Sequence, residues 1–294
     1  MLIKSIIQLL RPEQWVKNLF IFLPAFFNGH LWDIAVLLPC FTAFIALSFA
    51  ASSIYCYNDI CDINSDRAHV RKCKRPIASG TISIKTAYAV MLICVLFSML
   101  VLFLYQSETK YRVFYLIATY YLINLAYSFK LKQLAIIDVM IISIGFVLRI
   151  LIGGAATNIW LSEWIIMMTF LLALFLAFAK RRDDVVLYRE TGVLPRKHIS
   201  RYNLEFINQV MTLISTITII AYIMYSLSAD VMERFHHRPV YLTSVFVLTG
   251  IIRYLQITIV DLKSGNPVEI LMHDRFIQFC VAGWMISFFV IIYL

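Results

Sequence analysis

The chain has 294 residues, of which 61% are hydrophobic and only 15% charged, with a mean hydropathy of +0.81. That balance excludes a water-soluble globular domain and marks an integral membrane protein. The formal charge of +9 therefore belongs to loops at an anionic membrane surface, and gives no reason to expect a nucleic-acid partner.

In chain order, MLIKSIIQLL predicts a short amphipathic helix at the membrane interface, stopped at Arg11-Pro12. It lacks the charged start, apolar core and small-residue cleavage site of a signal peptide. Apolar runs then predict nine membrane-spanning helices, at about 17–30, 34–57, 82–105, 112–129, 135–156, 162–180, 207–229, 240–260 and 276–294,. The first is short and interrupted by Pro24 and Asn28. The expected fold is an all-α integral membrane protein, a single domain over 1–294, with its termini on opposite sides. Lys and Arg concentrate in the N-terminal segment and in 58–80, 130–132, 180–206 and 263–275, while the opposite loops hold only Lys110, Arg112, Arg234 and Arg238. By the positive-inside rule the N-terminus lies in the cytoplasm. The six cysteines form no CxxC pair and read as reduced packing residues,.

The densest chemistry follows the second span, in NDICDINSDRAHVRKCKRPIASG at 58–80, where three carboxylates and five Lys/Arg share 23 residues. If 58–67 is helical, Asn58, Asp62 and Asp66 drift only about 80° around the axis, with Asp59 within about 100° of Asn58. Acids crowded onto one side repel unless a cation sits among them. Oxygen donors suit a hard divalent ion, Mg²⁺ above all. The basic cluster Arg67, Arg71, Lys72, Lys74 and Arg75 then suits phosphate oxygens,. A calcium loop fails on Arg67 in place of Gly and Cys73 in place of Glu,. A plain topological loop explains the bases but not the acids.

The second long loop opens Lys180-Arg181-Arg182-Asp183-Asp184, which reads either as a topological anchor or as a phosphate clamp beside a weaker acidic patch,. Asp138 and Arg149 lie inside one span, near one face but about 16 Å apart along it; each needs a cavity or a partner, such as a tie between helices. Arg253 is a further buried-charge candidate. Gly153-Gly154 suits close helix packing. In the last cytoplasmic loop, Glu269, His273 and Asp274 follow a turn, and a catalytic role for His273 stays open,.

Asn58-Asp59-x-x-Asp62-x-x-x-Asp66-Arg67 resembles the first acidic motif of the UbiA-type intramembrane prenyltransferase superfamily, whose usual bundle has nine helices. More narrowly, RPEQWVKN at 11–18, the 58–80 block, YSFKLK at 127–132, GFVLRILIGGAAT at 145–157, AKRRD at 179–183 and GNPVEILMHDR at 265–275 resemble the decaprenyl-phosphate phosphoribosyltransferase branch. The resemblance implies transfer of 5-phosphoribose from 5-phosphoribosyl 1-diphosphate to a polyprenyl phosphate, for cell-surface glycan synthesis. It implies a Mg²⁺ shell of Asp59, Asp62 and Asp66 oriented by Asn58, with Arg67, Lys74 and Arg75 on donor phosphates. Lys17, Lys130, Lys180 and Arg181 would steer the lipid phosphate, and Tyr127 and Arg149 complete the candidate substrate-binding set. The expected location is the cytoplasmic membrane, with the active site facing the cytoplasm; self-association stays open.

Where aromatic prenyltransferases of the superfamily carry a second spaced acidic motif, this chain has Lys180-Arg181-Arg182-Asp183-Asp184. That departure speaks against the alternative of an aromatic prenyltransferase using an isoprenyl diphosphate. A transporter, the other alternative, calls for paired broken helices in two related halves, and the sequence shows none.

Overall fold

The computed structural model describes residues 2–67, 72–105, 107–192, 197–262 and 267–294, with side chains at 197, 198 and 267–269 outside the description. Arg71 of the basic cluster, the turn at 263–266 and the side chain of Glu269 therefore lie outside it. Among the described residues all regular structure is helical. Seven helices are long and apolar enough to cross a membrane: Ile34–Cys61, Ile84–Leu104, Ile137–Thr157, Glu163–Thr191, Leu204–Leu227, Val240–Ile259 and Arg275–Tyr293. The chain is a multi-pass membrane protein.

The two other expected spans differ in kind. Lys110–Phe129 is a 20-residue helix, but Lys110, Arg112 and its tyrosines dilute its hydropathy. Residues 17–30 hold most of a 3₁₀ run, Pro12–Phe22, and a short α-helix, Leu23–Phe27. At about 2.0 Å per 3₁₀ residue and about 1.5 Å per α residue, Pro12–Phe27 reaches roughly 30 Å.

By compactness the chain forms two units, residues 1–132 with 145–161, and 133–144 with 162–294. The first contains α1 (Leu2–Leu10), the 3₁₀ run, α2 (Leu23–Phe27), α3 (Ile34–Cys61), α4 (Ile63–Arg67), α5 (Ile84–Leu104), α6 (Lys110–Phe129) and the greater part of α7 (Ile137–Thr157). Its axis is α3, whose buried Ala43, Ala46, Ala50 and Ala51 let neighbouring helices approach closely,. α3 packs against α5, α6, the 3₁₀ run and α1.

The 3₁₀ geometry has a packing reason. Residues three apart eclipse in a 3₁₀ helix and rise about 6 Å, the rise of four residues in an α-helix. Trp15 Nε1 thus donates to Ser52 Oγ at 3.0 Å, and Asn18 Nδ2 to Ser48 Oγ at 3.0 Å, in register. The next residue on that face, Ile21, is fully buried. There α7 comes so close that a Cβ on Gly153 would stand 2.1 Å from Ile21 O, so only glycine fits.

The second unit contains the start of α7, α8 (Glu163–Thr191), α9 (Leu204–Leu227), α10 (Ala229–Arg234), α11 (Ser244–Ile259), α12 (Pro267–His273) and α13 (Arg275–Tyr293). α8 packs on α9, and α11 on α13 and α9, around Phe175, Phe178, Ile207, Met211, Tyr254 and Ile257. Gly192, at φ 69°, closes α8 in the left-handed conformation,. Asp274 opens α13 by accepting the Ile277 N–H at 2.9 Å, and takes Arg253 Nη2 at 2.8 Å. Those donors hold its carboxyl below the usual carboxylate range. A depressed folded pKa gives stabilisation that is present above the unfolded value, about 3.9, and is lost as pH falls through the folded one. Asp274→Ala is expected to cost about 1 kcal/mol at neutral pH. In detergent unfolding series, the gap from wild type should close only at acid pH.

Candidate active site

The acidic block begins inside α3 and crosses a break. α3 ends at Cys61, Asp62 stands between helices at φ −95° and ψ 6°, and α4 resumes at Ile63. This corrects the expectation of one helix over 58–67, although the Asp62 N–H still reaches Asn58 O at 2.9 Å and the Asp66 N–H reaches Asp62 O at 2.8 Å. The four side chains therefore keep helical spacing but sort into two pairs. Asp59 and Asp66, seven apart, differ by only about 20° around an α-helix; Asn58 and Asp62, four apart, differ by about 40°.

Each pair closes on its own cation. Arg75 Nη1 donates to Asp59 Oδ1 at 3.1 Å and to Asp66 Oδ2 at 2.7 Å. Lys132 Nζ donates to Asp62 Oδ1 at 2.5 Å and to Asn58 Oδ1 at 3.1 Å. Asp59 also takes Arg11 Nη2 on Oδ1 at 2.5 Å. Asp59 and Asp66 are each only 2% exposed, and Asp59 Oδ2 is buried without a hydrogen-bond partner.

Local structure fixes these cations. Arg75 follows the short 3₁₀ turn Lys72–Lys74 and opens a compact return. There Thr81 Oγ1 and the Ile82 N–H both bond Pro76 O, at 2.9 and 3.0 Å. Ile77 buries in a cluster with Leu9, Cys56, Ile82, Ala87, Val90 and Cys94, and Gly80 turns the chain at φ 80°. Arg67 Nε bonds Ala78 O at 3.2 Å, tying α4 to this return. Arg11 has left-handed backbone (φ 53°) between α1 and the 3₁₀ run, and lies 5.3 Å from the Tyr55 ring centroid. Sequence reasoning counted Arg11 and Lys132 only as cytoplasmic charge. The one signal that could have singled them out is their place in RPEQWVKN and YSFKLK.

Arg149 is 5% exposed, and all three of its guanidinium nitrogens are engaged. Nε meets Asn18 Oδ1 at 2.8 Å, Nη1 meets Gly145 O at 2.7 Å and Nη2 meets Tyr120 OH at 2.9 Å. It clasps the 3₁₀ run to α6 and α7. Lys17 and Tyr127 are half-buried, while Lys74 and Lys130 are exposed; all belong to the first unit.

In the second unit, Arg181 is fully buried and consumed by acids. Its Nε meets Asp138 Oδ2 at 2.6 Å, and its Nη1 meets Asp184 Oδ2 at 2.5 Å. Arg182 meets Asn208 Oδ1 at 2.8 Å and Thr258 O at 2.6 Å. Asp138 and Arg149, read together from one span, thus have separate partners. Lys180 is exposed. His273 is also exposed, at the end of α12.

Among the described residues no three His, Cys, Asp or Glu side chains converge as metal ligands. The donor set nevertheless fits a hard cation. Two buried carboxylates already share one cationic nitrogen, and one of their oxygens, Asp59 Oδ2, has no other partner.

Residues 19–279 match the UbiA prenyltransferase family. The chain is 32% identical over 297 residues to a protein of Mycolicibacterium smegmatis named decaprenyl-phosphate phosphoribosyltransferase, covering 97% of this chain and 91% of the relative. It is 29% identical to a protein of that name from Corynebacterium glutamicum, covering 99% and 87%. Its fold is similar to that of a UbiA homologue from Archaeoglobus fulgidus solved with DMAPP and Mg²⁺, at TM-score 0.69 and 18% identity over 99% of both chains. The chain belongs to the UbiA prenyltransferase family.

Proposed function

We propose that the chain transfers 5-phosphoribose from 5-phosphoribosyl 1-diphosphate to a polyprenyl phosphate, releasing diphosphate and forming polyprenyl-phosphoryl 5-phosphoribose. The observation that carries this reading is similarity along nearly the whole chain to proteins named for that reaction. The acid–base block agrees with it. The acceptor phosphate is already an anion and needs no strong base. The anomeric carbon passes through an oxocarbenium-like state as diphosphate leaves, so the main demand on the site is charge management and positioning.

Asp59, Asp62 and Asp66, with Asn58, would hold Mg²⁺. Bound there, Mg²⁺ supplies positive charge to the diphosphate oxygens. Arg67, Lys74 and Arg75 would hold donor phosphates, and Lys17, Tyr127 and Lys130 the acceptor head; Lys180, in the second unit, is a separate candidate for phosphate contact. Arg149 and Arg181 were read from sequence as substrate ligands. Their hydrogen bonds to neighbouring side chains and backbone support positioning roles instead. The 3₁₀ run with α2 and the α6 helix would bring the spans to nine, working as one domain in the cytoplasmic membrane, with the N-terminus and site on the cytoplasmic side.

Diphosphate release by the purified chain should require both 5-phosphoribosyl 1-diphosphate and the lipid phosphate, and fall to background when the free polyprenol replaces the phosphate. Prenylation of 4-hydroxybenzoate from an isoprenyl diphosphate would assign the chain to aromatic prenyl transfer instead.

A further inference from the structure

The geometry points to Arg75 as a built-in counter-cation of the acidic site, one that a divalent ion must displace and that is thereby released toward the donor's phosphates. This rests on the metal reading above and deepens it. A single nitrogen, Arg75 Nη1, stands 3.1 Å from Asp59 Oδ1 and 2.7 Å from Asp66 Oδ2. A cation shared by those two carboxylates would occupy the same ground. Both acids are 2% exposed, so solvent cannot supply the compensating charge.

Among the described residues the local charges balance without a metal: two buried carboxylates face two guanidinium groups, Arg11 and Arg75. Adding a divalent ion to that balanced set leaves an excess of positive charge in a poorly solvated place, which Coulomb repulsion opposes. Two events relieve it: Arg75 leaves, or an anionic diphosphate arrives with the ion. The arrangement achieves both, because a guanidinium freed beside the metal is itself a diphosphate ligand.

The two arginines are not equivalent. Among the described acids Arg11 meets Asp59 but not Asp66, and its left-handed backbone and the Tyr55 ring fix it. Arg75 bridges both acids from a turn, and its side chain is 26% exposed, so it has somewhere to go. The consequence is ordered binding: the ion alone binds weakly, and the ion with diphosphate binds strongly.

The test measures Mn²⁺ binding, by the EPR signal of the free ion, to the full chain in nanodiscs without substrate. Arg75→Gln removes the competing charge and should bind Mn²⁺ about tenfold more tightly than wild type; Asp59→Asn added to it should abolish the gain. Equal or weaker binding by Arg75→Gln, with Mn²⁺ bound by wild type, overturns the exchange but not the metal site. No Mn²⁺ binding by either protein, with diphosphate present or absent, overturns the metal reading itself. A second measurement needs no variant: Mn²⁺ should speed phenylglyoxal modification of Arg75 in the wild-type chain, read by peptide mass spectrometry. A rate that is unchanged or lower in Mn²⁺ contradicts the release.

Discussion

Asp62→Asn should leave the protein folded and lower phosphoribosyl transfer by roughly 10²–10³-fold. The fold survives because Asp62 contributes little to it. Its side chain is 26% exposed and its ion pair with Lys132 reaches from a loop, a class of interaction worth about 0–1 kcal/mol. The break between α3 and α4 is held by backbone hydrogen bonds at 2.8 and 2.9 Å that the substitution does not touch. Activity falls because the amide keeps the shape but removes the negative charge with which an oxygen ligand holds a hard cation. Unfolding in detergent and initial rates with both substrates check the two halves separately. Near-wild-type turnover would remove Asp62 from the metal shell.

The opposite pattern is expected at Arg181. Arg181→Met strips Asp138, which is 0% exposed, of the guanidinium that neutralises it. An uncompensated buried charge costs about 3–5 kcal/mol, enough to cut the yield of folded protein. Replacing both partners with apolar groups of similar size removes the penalty, so Arg181→Met with Asp138→Leu should recover most of the lost stability. Thermal unfolding of the two single variants and the double variant forms the cycle. A double variant no more stable than Arg181→Met would show that the pair is not the source of the loss, and would reopen the reading of Arg181 as a phosphate ligand.

These two sites show where sequence was informative and where it was not. The long spans were legible because about 20 apolar residues have few other uses. The caps at Gly192 and Asp274 are local chemistry too, but the apolar run of α8 stops near 180, so its polar continuation to Thr191 was not read. The 3₁₀ run at Pro12–Phe22 was not, because it is selected by register against Ser48 and Ser52, some thirty residues away. The acids were found by their spacing, but not their pairing. Arg11 and Lys132 lie 48 and 70 positions from the carboxylates they meet, and no periodicity carries that information. Asp138 and Arg149 show the same limit. Their depth called for partners such as a tie between helices, which Arg181 of α8 and, for Arg149, Asn18 and Tyr120 supply, but the sequence could not name those partners.

The most direct measurement follows ribose-labelled 5-phosphoribosyl 1-diphosphate into lipid, using purified protein, polyprenyl phosphate and Mg²⁺. The account predicts label in the organic phase that carries the mass of a polyprenyl-phosphoryl 5-phosphoribose, is lost with EDTA and returns with excess Mg²⁺. Label that stays in the aqueous phase while diphosphate is released, or transfer that EDTA leaves unchanged, would contradict it.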